Sequence, residues 1–428
     1  MSVLNQPLQK RWIVDYLQAT DNEILFDEYD YRSLNLTPDT CGFLPRPTKW
    51  IGRLHSRFWF SKLAWRIGLL IWSSGGAAVY HSIQFLRYFI QASKQHGEMP
   101  LSSCRHFALA FSSRAAEVIN SHSVPGFSAC WITFPWAPVN QLPADANHID
   151  VFSLLSARDL ILALRHAMVS TQAMSYRADT KKWLLHSYTA FRWFASRAAL
   201  EKLEGDFYIA EHYDRWAVLA DGVIHNRLRP RGTGGSMSHL SLIQHGRVEG
   251  LSDPNQAPQF HMTLKRRLKA VSFLYVYDQT SENIFRESIL STHCIRRGIR
   301  VNHFRPQIVL QEESLPTNSA SVLFVGHPAC ESLHVFLLQE LKRKYSINAF
   351  YKPHPLMPMS TELVGQDWKV ITEKSHFPRV QFLVSYPSTL VVEYASSGIP
   401  AVVHPIDLSV QNYDAFKAEI IAHIERHG

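Results

Sequence analysis

From about residue 105 onward, short continuous apolar runs alternate with stretches in which apolar residues recur every three or four positions. The short runs suit strands buried on both faces, and the 3.6-residue period suits helices that cross over between them. The runs predict strands over 107–111, 129–134, 207–210, 240–244 and 273–277, with helices over 157–169 and 188–203. The stretch 227–238 reads as a loop, and the polar stretch 311–321, QEESLPTNSAS, as a linker. A second series follows, with strands over 322–325, 349–352, 369–372, 382–384 and 401–403 and helices over 332–345 and 390–397. The last of these helices runs into SSGIP, where Gly398 supplies a left-handed cap and Pro400 blocks continuation. The pattern predicts an α/β chain of two Rossmann-like lobes, 101–312 and 313–428, behind a helical N-terminal extension over 1–100.

Composition narrows the partners. A chain of 428 residues with 46% hydrophobic and 19% charged residues is globular and large enough for two cores. A formal charge of +8 favours anionic partners: nucleotide diphosphates, phospholipid surfaces or acidic glycans. No zinc-finger spacing or RNP-like aromatic strand is present, so nucleic acid is not expected. The five cysteines lie far apart with no CxxC, which fits reduced thiols in the cytoplasm. The opening MSVLNQPLQKRW lacks a signal-peptide layout, and the apolar run 67–80 is too short to span a bilayer. Between Lys49 and Lys94, however, seven Lys/Arg residues occur without one acid, and Trp50, Phe58, Trp59, Phe60, Trp65 and Trp72 are interleaved with them. That pattern suits helices lying peripherally at an anionic inner-membrane surface, and equally a core helix pair with a basic rim.

Candidate chemistry concentrates in the second lobe. Gly326-His327-Pro328, His354-Pro355 and His404-Pro405 each follow a predicted strand. In an open parallel sheet the ligand crevice lies beyond the carboxyl ends of the strands. A histidine there can donate to phosphate while the following proline stiffens the loop; singly, each is as readily a turn histidine. Lys352 adds a cation beside His354. Some thirty residues on, a strand ends in Ser385-Tyr386-Pro387-Ser388-Thr389 and a helix begins. Hydroxyls and free N–H groups at that start form a phosphate cradle, reinforced by the helix dipole. Glu393, one turn in, can accept from ribose hydroxyls; the plain alternative is an ordinary capped helix. The candidate phosphate- and ribose-binding set is therefore Gly326, His327, Lys352, His354, Pro355, Ser388, Thr389 and Glu393. No DxD-like motif stands out, so no cofactor or catalytic metal is implied.

The order strand–KPHP, spacer, strand–SYPSTLVVEYASSGIPAVV resembles the C-terminal lobe of GT-B-type bacterial surface-polysaccharide transferases. That group includes HP-motif sialyl- and Kdo-transferases of capsule synthesis and the CDP-glycerol glycerophosphotransferases of teichoic acid synthesis. The resemblance covers roughly residues 205–410. In the glycerophosphotransferases the corresponding strand ends in an Asp-Tyr-Ser-Ser-like motif; here the Asp is missing and a Pro is inserted. The resemblance implies a GT-B-like fold and inverting glycosyl transfer in capsule or lipopolysaccharide synthesis. The implied donor is a nucleotide-activated sugar, CMP-linked and of sialic acid or Kdo type, and the implied acceptor a glycan or glycolipid. Polyol-phosphate transfer and a non-catalytic scaffold in a capsule assembly remain as alternatives.

For the first lobe the resemblance implies that His245, in Gln244-His245-Gly246, matches the histidine base of the glycerophosphotransferases. A loop histidine near neutral pKa can deprotonate an acceptor hydroxyl. The sialyltransferases use an acid followed by glycine, which nominates Glu249-Gly250 and Asp221-Gly222. Glu211, at the end of the strand FYIA, is a further carboxylate, and Asp221 reads as the solvated face of a helix.

Overall fold

The computed structural model describes residues 6–33, 36–47, 61–94, 104–122, 129–137, 142, 146–228, 238–246, 262–304, 308–313, 319–354, 359–373, 376–405 and 410–427. The chain forms two compact units, the first largely residues up to Phe304 and the second largely Arg305–Gly428.

In the first unit, β1 (His106–Ala110), β2 (Cys130–Thr133), β3 (His148–Asp150), β4 (Asp206–Ile209), β5 (Leu240–Ile243), β6 (Val271–Val276) and β7 (Arg300–His303) form one sheet. It is parallel throughout, in the order β3-β2-β1-β4-β5-β6-β7, so strand order reverses between β1 and β4. β2 and β5 are buried along their whole length, as the continuous apolar runs predicted. The two outermost strands escaped the pattern for a physical reason. β7 is largely exposed at the sheet edge and carries Arg300, Asn302 and His303, while β3 is three residues long. Helix Ala190–Leu200 is buried on every side, and Trp193, Phe194 and Phe207 fill the centre of the core. Helix Gln6–Ser33 packs against this core through Tyr16 and Ala19.

Asp221 corrects one expectation. It lies inside helix Arg215–Arg227 but is fully buried rather than solvated. Its Oδ2 accepts from Arg266 Nη2 at 2.9 Å, and its Oδ1 accepts from the amides of Lys269 and Ala270, both at 2.6 Å. A short polar side chain on an inward helix face is tolerated here because every bond it loses to water is replaced.

In the second unit, β8 (Leu310–Gln311) and β12 (Phe377–Pro378) pair with each other. The main sheet takes β9 (Ala320–Val325), β10 (Ile347–Lys352), β11 (Lys369–Val370), β13 (Phe382–Ser385) and β14 (Ala401–Val403). Its order is β11-β10-β9-β13-β14, all parallel, with the reversal between β9 and β13. Val322, Phe324, Phe382 and Val384 face Leu337 and Leu338 of helix Glu331–Lys342 and Ile420 of helix Val410–His427 in its core. Each unit is thus a Rossmann-like α/β sheet. Among the described residues no helix is long and apolar enough to cross a membrane.

Candidate active site

Two sheet edges gather the polar side chains, one in each unit. In the second unit the carboxyl ends are level: Val325 is in register with Lys352 on one side and Ser385 on the other, and Ser385 with Val403. His327, His354, Tyr386 and His404 therefore all leave the sheet along one edge. A Cβ on Gly326 would run into the ring and hydroxyl of Tyr351, so only glycine lets the chain turn out of β9 here. The His327 ring stands 5.5 Å from that of His354 and 5.2 Å from that of Tyr386. Its Nδ1 accepts the amide N–H of Ala329 at 3.1 Å, so a neutral ring carries its proton on Nε2 as a donor. Burial pushes the His354 pKa below the usual imidazole range.

Lys352, the last residue of β10, donates to the carbonyls of Glu373 and His376, both at 2.9 Å, and lies 4.6 Å from the centre of the Phe377 ring. Burial pushes its pKa down to about 8, with Glu373 and Glu393 opposing the shift. The ammonium therefore braces the 373–376 backbone. Ser385 Oγ gives its hydrogen to the Tyr386 carbonyl at 2.6 Å, so across the 3.0 Å contact between the two hydroxyls Ser388 is the donor. Ser388 occupies the N-cap of helix Thr389–Ser396 with no side-chain capping bond, which departs from the ordinary cap. Thr389 opens that helix and Glu393 is buried one turn on. Pro355 lies outside the described residues.

In the first unit the reversal between β1 and β4 is bridged by side chains. Ser112, beyond β1, donates to Glu211 Oε1 at 3.2 Å, beyond β4. Glu211 is buried, and its Oε2 has no hydrogen-bond partner. Burial, aided by the nearby Asp214 carboxylate, holds its pKa well above the usual carboxylate range. Asp214 accepts the amides of Trp216 and Ala217 as the N-cap of helix Arg215–Arg227.

His245 follows β5 and is half-buried. Its Nδ1 donates to the Ala210 carbonyl, and since a carbonyl only accepts, Nε2 of the neutral ring is left with its lone pair. Its backbone N–H donates to His212 Nε2 at 3.0 Å, and the two rings lie 4.4 Å apart. Burial pushes the His245 pKa down to about 4, which corrects the near-neutral value expected of a loop histidine, and that of His212 well below normal. Gln244 is buried and locks the turn, giving Nε2–H to Gly246 and Ser281 and accepting the amide of Tyr277. A Cβ at Gly246 would meet nothing within 4 Å. Glu249 lies outside the described residues, and Asp221 is committed to Arg266.

Sequence reasoning missed Ser112, His212 and Asp214. Asp214 had a readable signal, since it immediately precedes an apolar helical run; Ser112 and His212 gain meaning only from the strand order. Chemically, the first edge offers an imidazole and a carboxyl that burial biases toward their neutral forms, groups suited to proton transfer. The second offers N–H and hydroxyl donors with a braced cation, suited to an anion.

No protein family and no curated protein matches the chain. The chain is similar to solved structures at low identity. MurG of Acinetobacter baumannii is 10% identical, with a TM-score of 0.32 over 74% of this chain and 83% of that one. CalG4, the calicheamicin glycosyltransferase, is 10% identical, with a TM-score of 0.30 over 76% and 84%. UGT2 of Phytolacca americana, solved with UDP-2-fluoro-glucose and pterostilbene, is 13% identical, with a TM-score of 0.30 over 71% and 81%.

Proposed function

We propose that the protein is an inverting glycosyltransferase that uses a nucleotide-activated sugar. The observation that carries this reading is the matched pair of strand-order reversals. In each parallel sheet, polar side chains gather beyond the strand ends at the switch point, the place where such sheets bind ligands. The second unit takes the donor: His327 Nε2–H, the Ser388–Thr389 helix start and His354 hold the leaving phosphate, with Lys352 fixing the loop beside them. The first unit activates the acceptor, with His245 Nε2 as base and Glu211 the competing candidate. The strand–KPHP–spacer–SYPST order favours a CMP-linked donor of surface-polysaccharide synthesis as the first to test. A thermal-shift series with CMP, CDP, UDP and GDP tests the reading, because a bound ligand raises the midpoint by mass action. A selective rise with one nucleotide, followed by sugar transfer from its conjugate, is the expected result. No response to any nucleotide sinks the proposal, and binding without turnover leaves a scaffold.

The same reading places the protein at an anionic lipid surface. Helix Ala77–Lys94 buries Ala77, His81, Gln84, Tyr88 and Ala92, yet its outward face carries Val79, Leu86 and Ile90, each more than half exposed. Leu63, Leu70 and Ile71 on helix Ser61–Ile71 are exposed to the same degree. Such apolar area is costly in water, at about 25 cal/mol per Å². The exposed Arg66, Arg87 and Lys94 with no acid over 61–94 are the charge complement of an anionic leaflet.

A further inference from the structure

We propose that Cys330, His334 and His404 form a binding site for a thiophilic metal ion, Zn(II) or Cu(I), distinct from the proposed transfer chemistry. Cys330 and His334 stand one helical turn apart at the start of helix Glu331–Lys342, and His404 follows β14. All three are buried, and one ligand atom from each lies within 4.8 Å of the others. The two imidazoles face each other, Nε2 to Nε2, at 2.8 Å.

The tautomers favour coordination. His404 Nδ1 lies 2.7 Å from the Pro405 carbonyl, which only accepts, so the proton sits on Nδ1 and the Nε2 lone pair points inward. A backbone carbonyl on the far nitrogen is the usual partner that orients a metal-bound histidine. Burial lowers the pKa of both rings, that of His334 strongly, which favours the neutral form that ligates. Among the described residues no carboxylate joins the set, and thiolate with imidazole selects zinc or cuprous copper over magnesium or calcium.

Without metal, His334 Nε2–H donates to His404 Nε2, and the Cys330 thiol donates to the His327 carbonyl at 3.3 Å. Metal binding displaces the thiol proton to solvent and shifts the His334 proton from Nε2 to Nδ1, the tautomer that leaves Nε2 free to ligate. It also spreads the two nitrogens to about 3.3 Å, the separation set by bonds of about 2.0–2.1 Å in a tetrahedron. The clasp then ties the start of helix Glu331–Lys342 to the end of β14, beside the turn that carries His327.

The test uses the full chain, stripped by chelator and titrated with Zn(II) and, under reducing conditions, with Cu(I). The expected result is one ion per chain and, with Co(II) as probe, a thiolate-to-cobalt charge-transfer band. Cys330→Ser should abolish that band, and His404→Ala should weaken binding at least about tenfold. Retention of Cu(I) alone upholds the site and fixes the ion as copper. If Cys330→Ser does not fold, X-ray absorption of the metal-loaded wild type decides, one sulfur with two imidazoles being expected. A wild type that takes up none of these ions, or a shell without sulfur, overturns the proposal.

Discussion

Ser112 Oγ donates to Glu211 Oε1 at 3.2 Å across the point where the first sheet reverses its strand order. The other Glu211 oxygen is buried without a partner, so the site stabilises the protonated acid. A carboxyl with a raised folded pKa binds a proton that the unfolded chain has already lost. Wild-type stability should therefore fall as pH rises past 4.5, the ordinary value. Glu211→Gln should remove that fall. Calorimetry of both proteins at pH 4 and pH 8 checks it, and parallel pH profiles would refute the assignment.

His245 titrates in the opposite sense. Its folded pKa, pushed from 6.5 to about 4, contributes stability above pH 6.5 that is lost as pH falls toward 4. In the proposed role His245→Ala lowers transfer by about 10²–10⁴-fold and leaves nucleotide affinity unchanged. Near-wild-type turnover in the folded variant would transfer the role to Glu211. Loss of nucleotide binding instead would move His245 to the donor side.

The two donor-side residues His354 and Lys352 should separate in their effects. His354→Ala is expected to weaken nucleotide binding with little change in stability. Lys352→Ala should also destabilise the second unit, by about 1.5–3 kcal/mol, because it removes charge-assisted bonds to two carbonyls. With its pKa near 8, the Lys352 contribution to nucleotide affinity should fade as pH rises through that value. Unaltered affinity in both stable variants, measured by calorimetric titration, contradicts the donor assignment.

Membrane docking predicts flotation with anionic vesicles that weakens as salt is raised. Leu70→Glu and Leu86→Glu on the two exposed faces should each reduce it while leaving the fold intact, since neither side chain is buried. Equal flotation with neutral vesicles, or none with anionic ones, would argue against the lipid surface. Concentration-dependent dimerisation relieved by the same substitutions would identify a second copy as the occupant.

Asp221→Ala tests a structural role. Removing the carboxylate strands two amides and takes from the buried Arg266 one of its two carboxylate partners, Asp15 remaining, so a loss of about 1–3 kcal/mol is expected in denaturant unfolding. A loss of activity at unchanged stability would return Asp221 to the list of catalytic acids.

The apolar runs by themselves determined the interior strands, because a strand buried on both faces is predominantly apolar, as β5 and β9 are but for Ser241 and Ser321. The same logic hid β7, whose edge position permits Arg300 and His303. The three His-Pro segments were legible as strand-end residues, since strand ends can be counted along a chain. Strand order cannot, and it alone brought Ser112 to Glu211 and His327 to Tyr386. Burial was equally a tertiary decision. The helical period around Asp221 is compatible with water or with Arg266, and only packing chose Arg266. Cys330, His334 and His404 show the same limit: a spacing of four residues is local, but the third ligand arrives from a strand some seventy residues away. Local periodicity follows from backbone geometry, whereas contacts between distant side chains follow from the order in which the sheet is assembled.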